Sequence, residues 1–201
     1  MKLAVFVSGR GSNLQSIFQS RELADLIEIK AVISDKVECG AFKIARKYSV
    51  PTFSLGENDG FVSYNSLSNF LSQLDIDLIV LAGFLKLIPV DVVRNYKGRI
   101  INIHPALLPS FGGKGMYGMN VHRAVFNSSA KVSGATVHFV DESYDTGTII
   151  AQRCIDIKDV KTPEEIAERV LVIEHQILPS VIKMIAENKV HMVNKRVEIS
   201  E

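Results

Sequence analysis

The sequence predicts an α/β fold, a Rossmann-like and mostly parallel sheet with helices on both faces and antiparallel strands added in the C-terminal half. Short runs rich in Val and Ile, typical of strands buried on both faces, alternate with segments whose apolar residues have helical spacing. That order predicts βαβ crossovers and therefore parallel strands. The chain has 201 residues, 47% of them hydrophobic, which is enough for one core, and we expect a single domain.

The N-terminal half alternates strand and helix. The predicted strands are residues 2–7, 28–33 and 77–81, and the helices between them are residues 14–19, 41–48 and 65–74. Residues 99–103 read as a further central strand. Residues 135–140 and 148–155 follow as a later pair of strands, which we expect to be antiparallel.

A long helix is predicted to begin after Thr162. Thr162 is a suitable N-cap, Pro163 fits the first turn, and Glu165 stands at the capping-box position. An apolar face then recurs at helical spacing, and Pro179 is expected to bend or interrupt the helix. Residues 191–197 are expected to add strand or extended structure.

Composition and charge exclude several classes of protein. The 23 Lys and Arg against 22 Asp and Glu give a formal charge of +1, without a basic stripe, so we expect no nucleic-acid partner. The longest apolar stretch, residues 78–85, is far short of the ~18 residues of a membrane span, and the first strand is too short for a signal-peptide core. Cys39 and Cys154 form neither a metal-ligand spacing nor a disulfide framework, which predicts a reducing, cytoplasmic compartment.

The first strand leads into Ser8-Gly9-Arg10-Gly11-Ser12-Asn13-Leu14 and then a helix. In an α/β sheet this turn lies where ligands bind, and a helix start presents N–H groups to an anion, so a phosphate fits there. The pattern is neither G-x-G-x-x-G nor a P-loop, which disfavours NAD and ATP. The alternative is structural: the glycines turn the chain while Ser12 or Asn13 caps the helix.

A second motif, Asn102-Ile103-His104-Pro105, ends a hydrophobic strand. Residues i and i+2 share a strand face, so Asn102 and His104 project to the same side. An amide donor and a titratable imidazole are suited to stabilising an oxyanion and moving a proton. Alternatively, Asn102 bonds to nearby main chain and His104 is a satisfied turn residue.

The third motif, residues 134–147, is a strand that opens into an acidic loop ending in Asp145-Thr146-Gly147. Asp145 could be only a turn former. For Asp141 and Glu142 we favour solvated charges, and for His138 a residue of the strand face rather than a catalyst.

Four segments together carry a resemblance over essentially the whole chain. They are SGRGSNL from Ser8, AGFLKLIP from Ala82, NIHPALLPSF from Asn102 and GATVHFVDESYDTG from Gly134. In this order and at these separations they resemble the phosphoribosylglycinamide formyltransferases, a family of folate-dependent formyltransferases. The resemblance implies a nucleotide half at about residues 1–100, and a half at about residues 101–201 that completes the folate and catalytic site within one domain, 1–201.

The resemblance also implies roles for individual residues. Asn102, His104 and Asp145 match the catalytic trio. The ribonucleotide would be bound by Gly11, Ser12 and Asn13 at its phosphate and by Glu174 at its ribose; for Glu174 the alternative is a solvated helix residue. The folate would be bound by Phe84, Leu85, Lys86, Leu87, Ile88, Asn102, Asp141, Glu142, Ser143, Tyr144 and Asp145.

The sequence departs from the family pattern at three places. Tyr64 stands where many members have an Arg for the folate tail, with Lys114 as the candidate replacement cation. The segment from Gly112 to Gly118 is longer than in the best-known members. Met119 stands where some members have a His, and this departure concerns the support of Asp145.

The implied reaction transfers the formyl group of 10-formyltetrahydrofolate, a co-substrate, to the amine of glycinamide ribonucleotide in purine biosynthesis, without a metal. Asn102 and protonated His104 would donate to the negative oxygen of the intermediate, while Asp145 raises the pKa of His104 and relays a proton through water. We expect no membrane partner, and a monomer or weak homodimer.

Formyltetrahydrofolate hydrolase is the alternative enzyme, but that family carries a regulatory domain ahead of this unit, whereas here the first strand follows Met1 directly. A methionyl-tRNA formyltransferase would need a basic C-terminal domain, and this sequence ends at Glu201. A phosphate-sensing binding module without catalysis is the alternative outside the enzymes.

Overall fold

A computed structural model describes residues 1–194 and 196–200. Within them the strands are Lys2–Val7 (β1), Glu28–Ser34 (β2), Thr52–Ser54 (β3), Leu78–Leu81 (β4), Ile100–His104 (β5), Val132–Phe139 (β6), Ile149–Asp156 (β7), Val190–Val193 (β8) and Arg196–Ile199 (β9). The α-helices are Ser12–Gln19 (α1), Gly40–Lys47 (α2), Leu67–Gln73 (α3), Val90–Asn95 (α4), Met119–Asn127 (α5) and Pro163–Ala186 (α6), and short 3-10 turns occur at Arg21–Leu23 and Tyr64–Ser66.

Seven of these strands form one sheet in the order β3-β2-β1-β4-β5-β6-β7. The pairs from β3 to β5 are parallel, whereas β6 and β7 are antiparallel. The predicted fold class is therefore confirmed. Because β1 lies between β2 and β4, the strand order reverses there, and the loops that follow β1 and β4 flank the switch point where such sheets bind ligands.

The chain divides into two compact units, Met1–Asn102 and Ile103–Glu201. In the first unit, residues 3–7 of β1 are completely buried, as are residues 31–34 of β2. Helix α1 buries Leu14 and Ile17, and α2 buries Ala41, Phe42 and Ala45. Burial on both faces explains why these strands read as continuous apolar runs instead of alternating ones.

The second unit contains the long helix α6, whose start has the predicted capping chemistry with one difference. The Thr162 hydroxyl accepts the N–H of Glu165, but Oε2 of Glu165 accepts the N–H of Lys161 and not that of Thr162. The expected interruption at Pro179 does not occur, because the helix continues past this buried residue to Ala186. Burial of the apolar face on both sides of the proline offsets the hydrogen bond that it removes.

The C-terminal segment forms a hairpin of β8 and β9, which confirms extended structure for residues 191–193 and 196–197, whereas Asn194 lies in the turn with φ 48°. Lys195, which falls within that prediction, and Glu201, the last residue of the expected domain, lie outside the described residues. In the part of the chain that the structure describes, no helix combines the length and hydropathy that crossing a membrane requires.

Candidate functional site

The loop after β1 ends in a helix start that no side chain caps. Gly11 is the N-cap of α1, with φ 83° and ψ 28°, and the helix begins at Ser12. Its first backbone bond joins the N–H of Gln15 to the Gly11 carbonyl. Ser12 and Asn13 therefore lie inside the first turn, so the alternative that one of them caps the helix is wrong.

Packing against α2 fixes the shape of this loop. A Cβ atom at Gly11 would lie only 2.6 Å from Cβ of Ala41, and the positive φ independently favours glycine. The carbonyl of Gly9 accepts the N–H of Ala41 and the thiol of Cys39, which is 3.0 Å away. Gly11 is therefore required by helix packing, whatever the loop binds.

Ser8 joins three loops at the carboxyl ends of neighbouring strands. Its hydroxyl donates to Oδ1 of Asp35, after β2, at 2.6 Å and accepts the N–H of Leu85, after β4, at 3.1 Å. Its own N–H donates to the carbonyl of Gly83. Because the Ser8 side chain is 2% exposed, these bonds form away from bulk water and hold the loops in a fixed relation.

The segment after β4, predicted to contact folate, contains both exposed and buried side chains. Leu85 and Leu87 are 38% and 47% exposed, and Lys86 is also exposed. Phe84 and Ile88 are buried, and the Phe84 ring packs edge-on against Phe6. Phe84 is thus a core residue, whereas the two leucines present apolar surface that a ligand ring could cover.

Tyr64 begins the turn before α3, and its surroundings are acidic. Burial raises the pKa of its phenol, and the charges of Asp35 and Glu57 raise it further. These carboxylates oppose the binding of a glutamate tail at this position. Lys114, the candidate replacement cation, is exposed on the glycine-rich segment 112–118 of the second unit.

His104 ends β5 with both ring nitrogens directed at protein groups. It is 3% exposed. Nε2 lies 2.9 Å from the carbonyl of Phe111, and because a carbonyl only accepts, Nε2 must carry hydrogen. Nδ1 lies 3.6 Å from Oδ2 of Asp145. The half-buried Asn102 stands two residues earlier on the same strand and hence on the same face.

Asp145 lies in the connection between β6 and β7, with φ 57°. Its Oδ2 atom accepts the N–H of Gly113 at 2.9 Å in addition to facing His104. Its Oδ1 atom lies 3.6 Å from Nε2 of His138. The structure therefore brings His104 and Asp145 together, as the sequence predicts, and adds His138, for which the sequence favoured a role on the strand face only.

The charges of this cluster follow from burial and contacts. Burial lowers the pKa of His104 and outweighs the opposing effects of the Asp145 charge and the Phe111 carbonyl. His104 is thus neutral at pH 7 in the unliganded protein, and the protonated imidazole expected during the reaction stays a prediction. Burial raises the pKa of Asp145, but the bond to His138, the charge of His104 and the Gly113 N–H together bring it below its ordinary value. Asp145 is therefore ionised.

Two polar residues that the sequence analysis missed hold the segment after His104. The buried Thr136 hydroxyl donates to the carbonyl of Ala106 at 2.6 Å and accepts the N–H of Leu108. The Gln152 amide donates to Thr136 and to the Leu108 carbonyl. A signal was present, because Thr136 and His138 alternate with apolar residues along β6 and so share one face.

The acidic loop before Asp145 is organised by Asp141. Oδ1 of Asp141 accepts the N–H of Ser143 and the hydroxyl of Thr146 at 2.7 Å. Asp141 is therefore a turn former, and the interpretation of a purely solvated charge is wrong for it. Glu142, Ser143 and Tyr144 are exposed.

On α6, Glu174 is only 8% exposed, so the alternative of a solvated helix residue is wrong. Carboxylates are rarely buried without a specific task or partner.

Met119, which stands where some members of the family have a His, is the first residue of α5. The Gly113 N–H and His138 contact Asp145 in its place. His122, one turn into α5, is 6% exposed. Its burial, and to a smaller extent the charge of His104, lower its pKa to about 4.

Among the residues described, no three His, Cys, Asp or Glu side chains are placed to hold a metal ion.

Comparison with known proteins gives consistent results. Residues 1–182 match the family model described as formyl transferase. Phosphoribosylglycinamide formyltransferase of Bacillus subtilis is 38% identical over 192 residues, which cover 92% of this chain and 94% of that protein. The chloroplastic enzyme of that name from Vigna unguiculata is 45% identical over 94% of this chain, but the chain spans only 62% of its length.

A solved structure gives the same result for the fold. The crystal structure of phosphoribosylglycinamide formyltransferase from Anaplasma phagocytophilum superposes with a TM-score of 0.89 at 33% identity, covering 100% of this chain and 95% of that one.

Proposed function

The chain belongs to the formyl transferase family, and from this membership we propose that it transfers the formyl group of 10-formyltetrahydrofolate to the amine of glycinamide ribonucleotide, a step of purine biosynthesis. The names of its bacterial and plant relatives support this choice of substrate. One observation of the site carries the proposal: a buried imidazole, His104, and an ionised carboxylate, Asp145, face each other at the end of a sheet strand.

The proposed reaction begins when the amine attacks the formyl carbon. A carbon–nitrogen bond forms and the formyl oxygen becomes negative. Nε2 of His104 is committed to the Phe111 carbonyl, so Nδ1 is the nitrogen that would face that oxygen. Nδ1 would take up a proton from solvent as the oxygen becomes negative, donate a hydrogen bond to it, and release the proton to solvent when the carbonyl re-forms. The Asn102 amide would donate to the same oxygen, and one such donor is worth about 3 kcal/mol.

Completion of the reaction requires a proton to move from the attacking nitrogen to the leaving nitrogen of the folate. The ionised Asp145 can accept it, directly or through water, and return it as the tetrahedral centre collapses. The old carbon–nitrogen bond then breaks and the carbonyl re-forms, so that no net proton is gained or lost. As negative charge develops on the oxygen, protonation of Nδ1 becomes more favourable than in the unliganded protein.

The ribonucleotide would be held by two groups of residues. Ser12 and Asn13, in the first turn of α1, would bind the phosphate through their N–H groups and side chains, with Gly11 giving the loop its shape. Glu174 would accept hydrogen bonds from the ribose hydroxyls, a task that suits a buried carboxylate.

The pterin would be bound by the segment after β4 and by the loop before Asp145. The exposed side chains of Leu85 and Leu87 offer apolar surface, and the main chain from Lys86 to Ile88 offers hydrogen bonds. The turn organised by Asp141 gives residues 141–145 a fixed backbone for the same purpose, and Lys114 would meet the glutamate tail. We assign phosphate binding to the N-terminal half and catalysis to the C-terminal half.

The proposed setting is a reducing, cytoplasmic compartment, since Cys39 and Cys154 are both free thiols. There the enzyme would act on these small molecules as a monomer or weak homodimer.

The test is ultraviolet absorbance during incubation with a 10-formylfolate analogue, with and without glycinamide ribonucleotide. Transfer predicts a change only when the ribonucleotide is present. Hydrolysis would give the same change without it, and a binding module would give none.

A further inference from the structure

The carboxylate of Asp145 is held by a different set of groups at each oxygen. Oδ2 receives the N–H of Gly113 at 2.9 Å and faces His104. Oδ1 faces Nε2 of His138 at 3.6 Å. His138 lies on β6 and Gly113 on the glycine-rich segment, so two separate elements fix one carboxylate.

The orientation of His138 is set by its other nitrogen. Nδ1 lies 2.7 Å from the carbonyl of Phe139, and the side chain is 2% exposed. The carbonyl requires hydrogen on Nδ1, so the ring is fixed with Nε2 directed at Asp145. Only a ring with hydrogen on both nitrogens donates both to the Phe139 carbonyl and toward Oδ1 of Asp145, and the ionisable groups that act on it are Asp145 and His104.

The glycine-rich segment approaches Asp145 so closely that a side chain at Gly112 would fit only if its neighbours shifted. A Cβ atom at Gly112 would lie 2.5 Å from Cδ2 of Leu108 and 3.2 Å from Cβ of Asp145. Glycine at 112 therefore allows the next residue, Gly113, to bring its N–H within hydrogen-bond distance of the carboxylate.

We propose that His138 is a positioning residue for formyl transfer, which holds Asp145 through Oδ1 while the Gly113 N–H holds Oδ2. The role rests on the proposed function. His138 does not touch the reacting atoms. It keeps the carboxylate from rotating away from Nδ1 of His104, so that the acceptor of the amine proton is in place before the substrates bind.

Two substitutions separate this role from a merely structural one. The amide nitrogen of Asn lies near the position of imidazole Nδ1, so His138→Asn keeps a donor for the Phe139 carbonyl and loses the contact with Asp145. The longer Gln places its amide nitrogen near the position of Nε2, so His138→Gln keeps a donor for Asp145 and loses the bond to Phe139. The two variants thus remove one contact each.

The positioning role predicts that His138→Asn lowers kcat by about 10- to 100-fold, the cost of a misplaced catalytic group, with little change in either KM. His138→Gln should recover most of that loss. If His138 is needed only for its bond to the Phe139 carbonyl, His138→Asn should instead have a higher kcat than His138→Gln. A rate for His138→Gln as low as that of His138→Asn, or a wild-type rate for His138→Asn, would overturn the proposal.

A second readout does not depend on turnover. Titration of His104 followed by NMR should give a lower pKa in His138→Asn than in His138→Gln, because only the latter keeps the Asp145 charge near the imidazole. If wild type shows no amine-dependent transfer but this difference persists, the proposed function fails and the positioning of Asp145 stands. Identical titrations with transfer intact would refute the positioning role alone.

Gly112→Ala provides an independent variant if either His138 substitution fails to fold. Its Cβ would press on Leu108 and on Cβ of Asp145, so we expect the Gly113 N–H and Oδ2 to separate while His138 is unchanged, and kcat should fall in the same direction. Wild-type kcat in folded Gly112→Ala would contradict the two-sided hold on Asp145.

Discussion

Nδ1 of His104 lies 3.6 Å from Oδ2 of Asp145, while Nε2 of the same ring is bonded to a main-chain carbonyl. Because Nε2 keeps its hydrogen in both charge states, His104 gains and loses its proton at the nitrogen that faces the carboxylate. The separation is longer than a strong hydrogen bond. A proton on Nδ1 is therefore attracted by the charge of Asp145 but is not held in a strong hydrogen bond to it.

Asp145→Asn should preserve the fold and lower kcat by about 10²- to 10⁴-fold, the usual contribution of a general acid or base. The amide keeps the shape but loses the charge and the basicity. Since the Asp145 charge raises the pKa of His104 against burial, that pKa should fall further in the variant. Steady-state rates across pH and NMR titration of His104 measure the two effects.

The matched control is Asp156→Asn, which removes an exposed carboxylate from β7 and should leave kcat unchanged. Near wild-type kcat in Asp145→Asn, with both substrates saturating, would return Asp145 to the role of a turn residue.

Ser12 tests the phosphate site better than Gly11, whose replacement would collide with Ala41. Ser12→Asp places a negative charge at the start of α1, where the helix dipole tolerates it, so the melting temperature should not fall. The same charge repels a phosphate and should raise the ribonucleotide KM by about tenfold or more, with little change in the folate KM. Ser12→Asn is the neutral control, because Asn has nearly the same size as Asp but carries no charge. Equal KM values for the ribonucleotide in the two variants would remove phosphate binding from this loop.

Glu174→Gln should raise the ribonucleotide KM by about tenfold, since a hydrogen bond to a charged group is worth about 1.5 kcal/mol or more. The folate KM should change little. Gln is preferable to Ala here, because Glu174 is buried and truncation would leave a cavity. Glu168→Gln, at an exposed position of the same helix, is the control. An unchanged ribonucleotide KM in Glu174→Gln would assign Glu174 a purely structural role.

His122 should make the protein less stable as the pH falls below neutral. Its pKa is about 4 in the folded protein and ordinarily about 6.5. Between these values the unfolded chain binds a proton that the folded protein does not, so the free energy of unfolding decreases as the pH falls from 6.5 to 4. The full difference corresponds to about 3 kcal/mol.

Urea unfolding at several pH values measures this effect. His122→Gln should flatten the pH dependence between 6.5 and 4, whereas His191→Gln, at an exposed position, should not. The same slope in wild type and His122→Gln would show that other groups cause the acid sensitivity.

The sequence predicts the elements that have a strong local pattern. The strands β1, β2 and β4 are continuous apolar runs, and α6 carries its own capping residues. In contrast, β3, α4 and α5 have only three, six and nine residues, too few for a periodic pattern to stand out from loops. Whether the helix continues through Pro179 depends on packing against the rest of the protein, which local helix propensity does not include.

Within the site, the proximity of His104 and Asp145 follows from the resemblance to a family. The support of Asp145 does not, because one of its partners is the main-chain N–H of Gly113, 32 residues away, and any residue other than proline supplies such a group. His138 is hidden for a different reason: a histidine on a strand face is most often a satisfied core residue, and only its position relative to Asp145 shows otherwise.

The fate of the formyl carbon tests the proposed transfer most directly. Incubation with 10-formyltetrahydrofolate carrying ¹³C in the formyl group, in the presence of glycinamide ribonucleotide, can be followed by ¹³C NMR. Transfer predicts that the label appears as a formamide on the ribonucleotide, in proportion to the amine consumed, and that without the ribonucleotide the formyl signal of the folate persists. Accumulation of labelled formate at the same rate with and without the ribonucleotide would contradict formyl transfer and establish hydrolysis in its place.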